Sequence, residues 1–168
     1  DTLMFFMNNG RIYVEKAYEI PEGSRTSKGR NIVNLLDMQK DENVSALISI
    51  DSFDSEESLV LCTVKGVIKK TKIDAYRNHR KGGIIGIKID EGDRVLQALR
   101  STYDDHLLIL TKNGKGLRFS CEQLRDQGRA TRGVRGIRLK DGDEVVNMLS
   151  VEEEKLLLIA GRNGLGIR

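Results

Sequence analysis

The apolar and polar positions of this chain recur. From Leu107 to Leu149 an apolar run (LLIL) meets a turn glycine, leaves through a basic tail, and closes on a second apolar run headed by Val145. The opening of that pattern returns at Leu3 to Val14, Leu59 to Lys70 and Leu156 to Arg168, with turn glycines at Gly10, Gly66, Gly114 and Gly164. A second anchor, glycine after a basic or glycine residue and before an apolar stretch, stands at Lys28-Gly29, Gly82-Gly83 and Arg132-Gly133. A third heads the closing run at Val44, Val95 and Val145. Gly66, Gly114 and Gly164 are 48 and 50 residues apart, within the period of roughly 40 to 50 residues typical of propeller blades.

Each unit reads as short strands. Leu3 to Met7 and Arg11 to Ala17 flank Asn8-Asn9-Gly10, a hairpin signal because asparagine and glycine tolerate the positive φ such turns need. Ile32 to Leu36 and Val44 to Ile50 complete the first unit as two more strands. The second unit repeats this as Leu59 to Val64, Val67 to Ile73, Ile84 to Ile89 and Val95 to Leu99. Cys121 to Gln127 suits a short helical turn, and no unit holds ten or more residues at helical spacing. The expectation is an all-β, β-propeller-like array of four-stranded blades, at about 1–52, 53–103 and 104–151, with 152–168 starting a further blade. Units of this kind bury their apolar faces only by stacking, so a piece of a larger ring is expected. Asp1 without a leader pattern reads as the interior of a longer chain.

Composition is that of an ordinary soluble protein, with 39% apolar and 32% charged residues. No apolar run reaches the length of a membrane span. Cys62 and Cys121 stand alone and read as reduced thiols, and His79 and His106 stand at no ligand spacing to them. GxSxG, HExxH and Walker A patterns are absent; the glycines from Gly161 to Gly166 read as a hairpin. No catalytic residue, metal or cofactor is expected in this chain.

Charge changes the picture. From Lys65 to Lys88 eight basic residues face one acid, Asp74, and from Lys112 to Lys140 nine face Glu122 and Asp126. The acids gather at unit junctions, so units stacked in one orientation would merge their basic halves into a stripe fit for a polyanion. Candidate DNA-contacting residues are Lys28, Arg30, Lys69, Lys70, Arg80, Lys81, Gly82, Gly83, Arg118, Arg129, Arg132 and Arg135. Glycine beside arginine is read as exposing backbone N–H groups to a phosphate. With four Tyr, four Phe and no Trp, stacking platforms are scarce, which favours duplex over single strands and argues against Trp-Asp and kelch propellers.

Three stretches carry a family resemblance: Tyr18 to Leu36 (YEIPEGSRTSKGRNIVNLL), Gly66 to Thr71 (GVIKKT) and Gly133 to Leu139 (GVRGIRL). They closely resemble the carboxy-terminal domain of the A subunit of bacterial DNA gyrase, of the type IIA topoisomerases, over essentially the whole chain. The resemblance implies a β-pinwheel whose blades exchange strands and whose basic perimeter bends double-stranded DNA with little regard to sequence. It further implies partnership with the rest of the gyrase A protein and with the gyrase B protein in an A2B2 holoenzyme, and use of ATP and Mg by that holoenzyme to introduce negative supercoils. A bacterial cytoplasmic, nucleoid-associated location follows, with no membrane partner. Tyr13, Tyr18, Tyr76 and Tyr103 are not expected to be nucleophiles. The family's Gln-Arg-Arg-Gly-Gly-Lys-Gly box is missing, its expected place lying just before Asp1, and Arg80-Lys81-Gly82-Gly83 keeps a partial likeness; DNA binding with poor wrapping is therefore expected. The alternatives are the equivalent domain of topoisomerase IV and a protein-binding propeller.

Overall fold

The computed structural model describes residues 1–167; Arg168, the end of the last sequence repeat, lies outside them. In chain order the strands are β1 (Thr2–Met7), β2 (Arg11–Lys16), β3 (Val44–Ile50), β4 (Ser58–Thr63), β5 (Val67–Lys72), β6 (Ile84–Ile85), β7 (Val95–Ser101), β8 (His106–Thr111), β9 (Gly116–Ser120), β10 (Val134–Arg135), β11 (Val145–Val151), β12 (Ile159–Ala160) and β13 (Gly166–Ile167). Helical structure among the described residues is limited to 3-10 turns at Ala17–Glu19, Ile32–Asn34, Ile73–Tyr76 and Cys121–Gln123. The four turn glycines have φ of 87°, 81°, 80° and 78°, and each amide donates to the carbonyl three residues back at 3.0 Å. The hairpins expected from the sequence are all present.

Sheet order departs from the order of the units. The first sheet runs β3-β1-β2-β6 and the second β7-β4-β5-β10, while the third is β11-β8-β9 and the last β12-β13. Strand β6 belongs to the second unit yet pairs with β2 of the first, Arg11 opposite Ile85 and Ile12 opposite Ile84. Likewise β10 of the third unit pairs with β5 of the second, Val134 opposite Ile68. Both handovers share one joint. The amides of Gly86 and Ile87 donate to the Gly10 carbonyl at 2.8 and 3.2 Å, and those of Gly136 and Ile137 donate to the Gly66 carbonyl at 2.8 and 3.3 Å. The second glycine of each G-x-x-G is needed because a Cβ at Gly86 would overlap the Ile12 side chain, and one at Gly136 would come within 2.7 Å of Ile68.

The first unit carries Ile32 at the position of Gly86 and Gly136. The strand expected at Ile32 to Leu36 is not formed. Those residues make a 3-10 turn over Ile32–Asn34 and pack Leu36, Ile32 and Leu35 on the face of the first sheet that carries Phe5, Met7 and Tyr13. The strand expected at Ile84 to Ile89 ends at Ile85, because the amide of Ile87 turns back to Gly10.

All six residues of β4 are buried, and the pleat explains it, since successive side chains point to opposite faces. Leu59 and Leu61 join Met4, Phe6, Ile48 and Ile50 of the first sheet. Val60 and Cys62 join Leu107, Ile109 and Met148 of the third. Strand β7 packs against both β3 and β11, so these three lie at the inner edge of the array and β6 and β10 at the outer edge. The joints repeat here too, with the Val95 amide on the Asn8 carbonyl at 2.8 Å and the Val145 amide on the Val64 carbonyl at 2.9 Å.

Junction acids serve as pins. Asp93 Oδ1 accepts the Lys65 amide and Asp143 Oδ1 the Asn113 amide, each at 3.0 Å. In the first unit Glu42 takes this place, accepting from Asn9 Nδ2 at 2.8 Å, the Tyr13 hydroxyl at 2.7 Å and the Gln39 amide at 2.8 Å. Burial alone would raise its carboxyl pKa, but these donors and the Arg11 guanidinium hold it below the usual value. The residue before each pin has positive φ, 70° at Gly92 and 74° at Gly142, and Asp41 adopts 68° without being glycine.

Lys69 is fully buried. It faces the first sheet, and its ammonium donates to the carbonyl of Gly86 at 2.5 Å, to that of Gly128 at 3.0 Å and to that of Arg129. Burial, with a smaller push from the Arg129 guanidinium, lowers its pKa to about 8, so it is still charged at neutral pH.

Urea unfolding of three variants checks these roles. Asp41→Gly should stabilise by roughly 0.5 to 1 kcal/mol, the left-handed penalty relieved less the extra chain entropy of glycine. Gly133→Ala, with φ of 92° and a Cβ 2.6 Å from the Ile68 carbonyl, should destabilise by roughly 2 to 4 kcal/mol. For Lys69 the unfolded state, with a pKa of about 10.4, binds more protons than the folded state between the two pKa values. The stability of the parent relative to Lys69→Met should therefore be flat below about pH 8. It should then rise toward about pH 10.4, by up to about 3 kcal/mol.

Candidate nucleic-acid interface

The outer edge is built by the handed-over strands and the loops that feed them. Ile73–Tyr76 ends β5 in a 3-10 turn anchored by buried Ile73 and Tyr76, and the chain then runs exposed through Arg77 to Lys81 before β6. Arg80 and Lys81 are exposed on this loop, and Arg135 is exposed on β10. Arg118 is exposed on β9, the outer strand of the third sheet. Arg129 is half-buried in the loop that Lys69 clamps. Lys28 and Arg30 are exposed on the loop of the first unit, beside a cavity of about 620 Å³ that also meets Phe5 and Pro21.

Two lysines read as DNA contacts do not reach the surface. Lys69 is the internal joint just described. Lys70 points the opposite way, toward the third sheet; its Nζ donates to the Cys121 carbonyl at 3.0 Å, lies 3.7 Å from Asp126 Oδ1 and sits 5.8 Å from the centre of the Tyr103 ring. Both faces of the middle sheet are covered, so alternation along β5 leaves neither lysine exposed.

The glycines also have a different role from the one expected. Gly83 is buried with φ of 73°, its Cβ position 3.0 Å from the Tyr13 ring, and its amide donates to the Arg80 carbonyl at 2.9 Å. The Gly82 carbonyl accepts from Arg11. Gly83 lets β6 close on β2 and spends its amide on Arg80, whereas Gly82 engages its carbonyl.

Arg132 is exposed, but its guanidinium is paired with Asp90. The recess it lines also holds Lys65, Arg135, Arg138 and Asp93, so part of its positive charge is compensated. Lys88 and Arg138 were not among the sequence candidates, yet both are exposed just beyond the handed-over strands. Their signal is the apolar-basic-apolar alternation Ile87-Lys88-Ile89 and Ile137-Arg138-Leu139. Two junction acids are paired, Asp54 with Arg77 and Glu57 with Arg100.

Comparison with known proteins fits this geometry. A family model described as DNA gyrase C-terminal domain, beta-propeller, matches residues 1–51, 57–102 and 105–152. The A subunit of DNA gyrase from Clostridium acetobutylicum is 43% identical over 129 residues, 77% of this chain and 16% of that protein. The chain thus spans about a sixth of the length of this curated relative. A solved structure of a DNA gyrase A C-terminal domain is similar with a TM-score of 0.82 and 31% identity, covering 99% of this chain and 53% of that one. The C-terminal domain of a DNA topoisomerase IV is similar with a TM-score of 0.84 and 26% identity, covering 92% of this chain and 48% of that one. The repeat, the strand handover and these matches together establish that the chain belongs to the family of DNA gyrase A C-terminal, β-propeller domains.

Proposed function

We propose that this chain is a DNA-wrapping module of a gyrase A protein, holding duplex DNA along its outer edge. The observation that carries the reading is the placement of exposed bases at matching positions of successive sheets, Lys88 with Arg138 beyond β6 and β10, beside Arg80, Lys81 and Arg135. A row of guanidinium and ammonium groups on one edge can contact duplex phosphates without reading bases, and no element among the described residues resembles a recognition helix. In this reading the bent duplex is presented to the rest of a bacterial, cytoplasmic A2B2 enzyme, whose other parts supply the catalytic tyrosine, ATP and Mg sites for negative supercoiling. Identity favours gyrase over topoisomerase IV, at 31% against 26%.

Bending a site of 20 to 30 base pairs costs on the order of 1 to 6 kcal/mol, which contacts along the path must offset. Alanine at Arg80, Lys81, Arg132 and Arg135 together, in the full-length chain, should lower the slope of log affinity against log salt. Each lost phosphate contact is worth about 0.9, and with Arg132 held by Asp90 a fall of about 3 is expected. The bend angle of short duplexes should fall with it, and unrelated duplex sequences should compete equally. A salt-independent parent, or a preference of 10³-fold or more for one short site, would overturn the proposal and favour a protein-binding or sequence-reading role.

A further inference from the structure

One recess on the outer edge has no carboxylate in its wall. It lies between the second and third units, about 440 Å³ in volume, walled by Asn78, His79 and Arg80 on one side and Arg129 and Ala130 on the other, with Ile84 and Ile85 of β6 as its floor. Two arginines from different units therefore face one concavity. The neighbouring recess around Arg132 and Arg135, by contrast, is lined by Asp90 and Asp93 as well. Like charges brought to one site without a counter-charge repel, and the fold enforces the arrangement from both sides.

The walls are fixed by their own bonds. Lys69 holds the carbonyls of Gly128 and Arg129. Thr131 Oγ1 donates to the Gly128 carbonyl at 2.8 Å, and the Lys88 amide donates to the Thr131 carbonyl at 2.9 Å. Opposite, His79 Nδ1 lies 3.3 Å from the Tyr76 carbonyl and the ring packs against Phe53 with centroids 5.5 Å apart. We infer that this recess seats a single backbone phosphate shared by Arg80 and Arg129, with Asn78 as a neutral donor and buried Lys69 as the positioning residue for the Arg129 wall. The inference rests on the DNA reading above and adds a discrete phosphate position to it.

Salt-titrated duplex binding by the full-length chain tests it through Arg80→Ala, Arg129→Ala and the pair. If both arginines hold one phosphate, each single change weakens binding with little loss of slope, and the double variant loses about 0.9 in total. Separate phosphates would cost about 0.9 for each change and about 1.8 for the pair, and either that result or an unchanged slope in the double variant overturns the seat. Lys69→Met in the Arg80→Ala background should reproduce the double variant although Lys69 is buried; an unchanged slope there removes its positioning role. Inorganic phosphate at constant ionic strength distinguishes the source. If it competes with duplex no better than chloride, the seat is one for the DNA backbone; if it saturates the Asn78 to Arg80 and Gly128 to Ala130 amide shifts while leaving duplex affinity intact, the recess is a free-phosphate site and the inference fails. A parent with no salt dependence defeats the DNA-wrapping proposal itself, whereas a salt-dependent parent with an unaltered double variant defeats only the seat.

Discussion

The carbonyls of Gly10 and Gly66 are the constraint on which the molecule depends. Each accepts two amides from the following unit, through the second glycine of a G-x-x-G run and the residue after it. A strand two residues long has little stability by itself, so β6 and β10 exist because the preceding sheet offers an edge and a glycine lets the backbones meet. No unit is complete alone. The first two hairpins take the next unit's strand on the outside, and the middle sheet has a neighbouring sheet on each face. Stability in such an array is a sum of neighbour terms.

Basic residues fall into two populations that composition does not separate. Arg11, Lys69 and Lys70 point inward or sideways and spend their donors on carbonyls of adjacent segments or on acids. A buried ammonium is costly unless fully bonded, and Lys69 meets that condition with three carbonyls drawn from two units. Exposed residues such as Arg80, Lys81, Arg135 and Arg138 keep their charge toward solvent. Acids divide in parallel. Glu42, Asp93 and Asp143 pin hairpin turns, whereas Asp90 holds Arg132 and compensates part of the positive charge of the outer edge.

The sequence by itself determined the repeat, the four hairpins and the absence of long helices, because positive-φ glycines and apolar runs act within a few residues of chain. It also determined that the basic loops would recur, since period and charge are both linear properties. Tertiary structure decided the rest. The third segment of the first unit, with Ile32 where Gly86 and Gly136 stand, has no preceding sheet among the described residues to pair with, and it folds onto its own sheet as a 3-10 turn. Lys69 and Lys70 look like surface bases in the string GVIKKT, but β5 lies in a sheet covered on both faces, and that burial is set by residues from Gly86 to Arg129. Gly83 looks like part of an open phosphate loop, but its position is closed by the Tyr13 ring, while the neighbouring Gly82 carbonyl accepts from Arg11. The common reason is that strand pairing across units is a long-range interaction: spacing along the chain sets which residues recur, and only the handover of a strand to the preceding sheet sets which of them meet solvent.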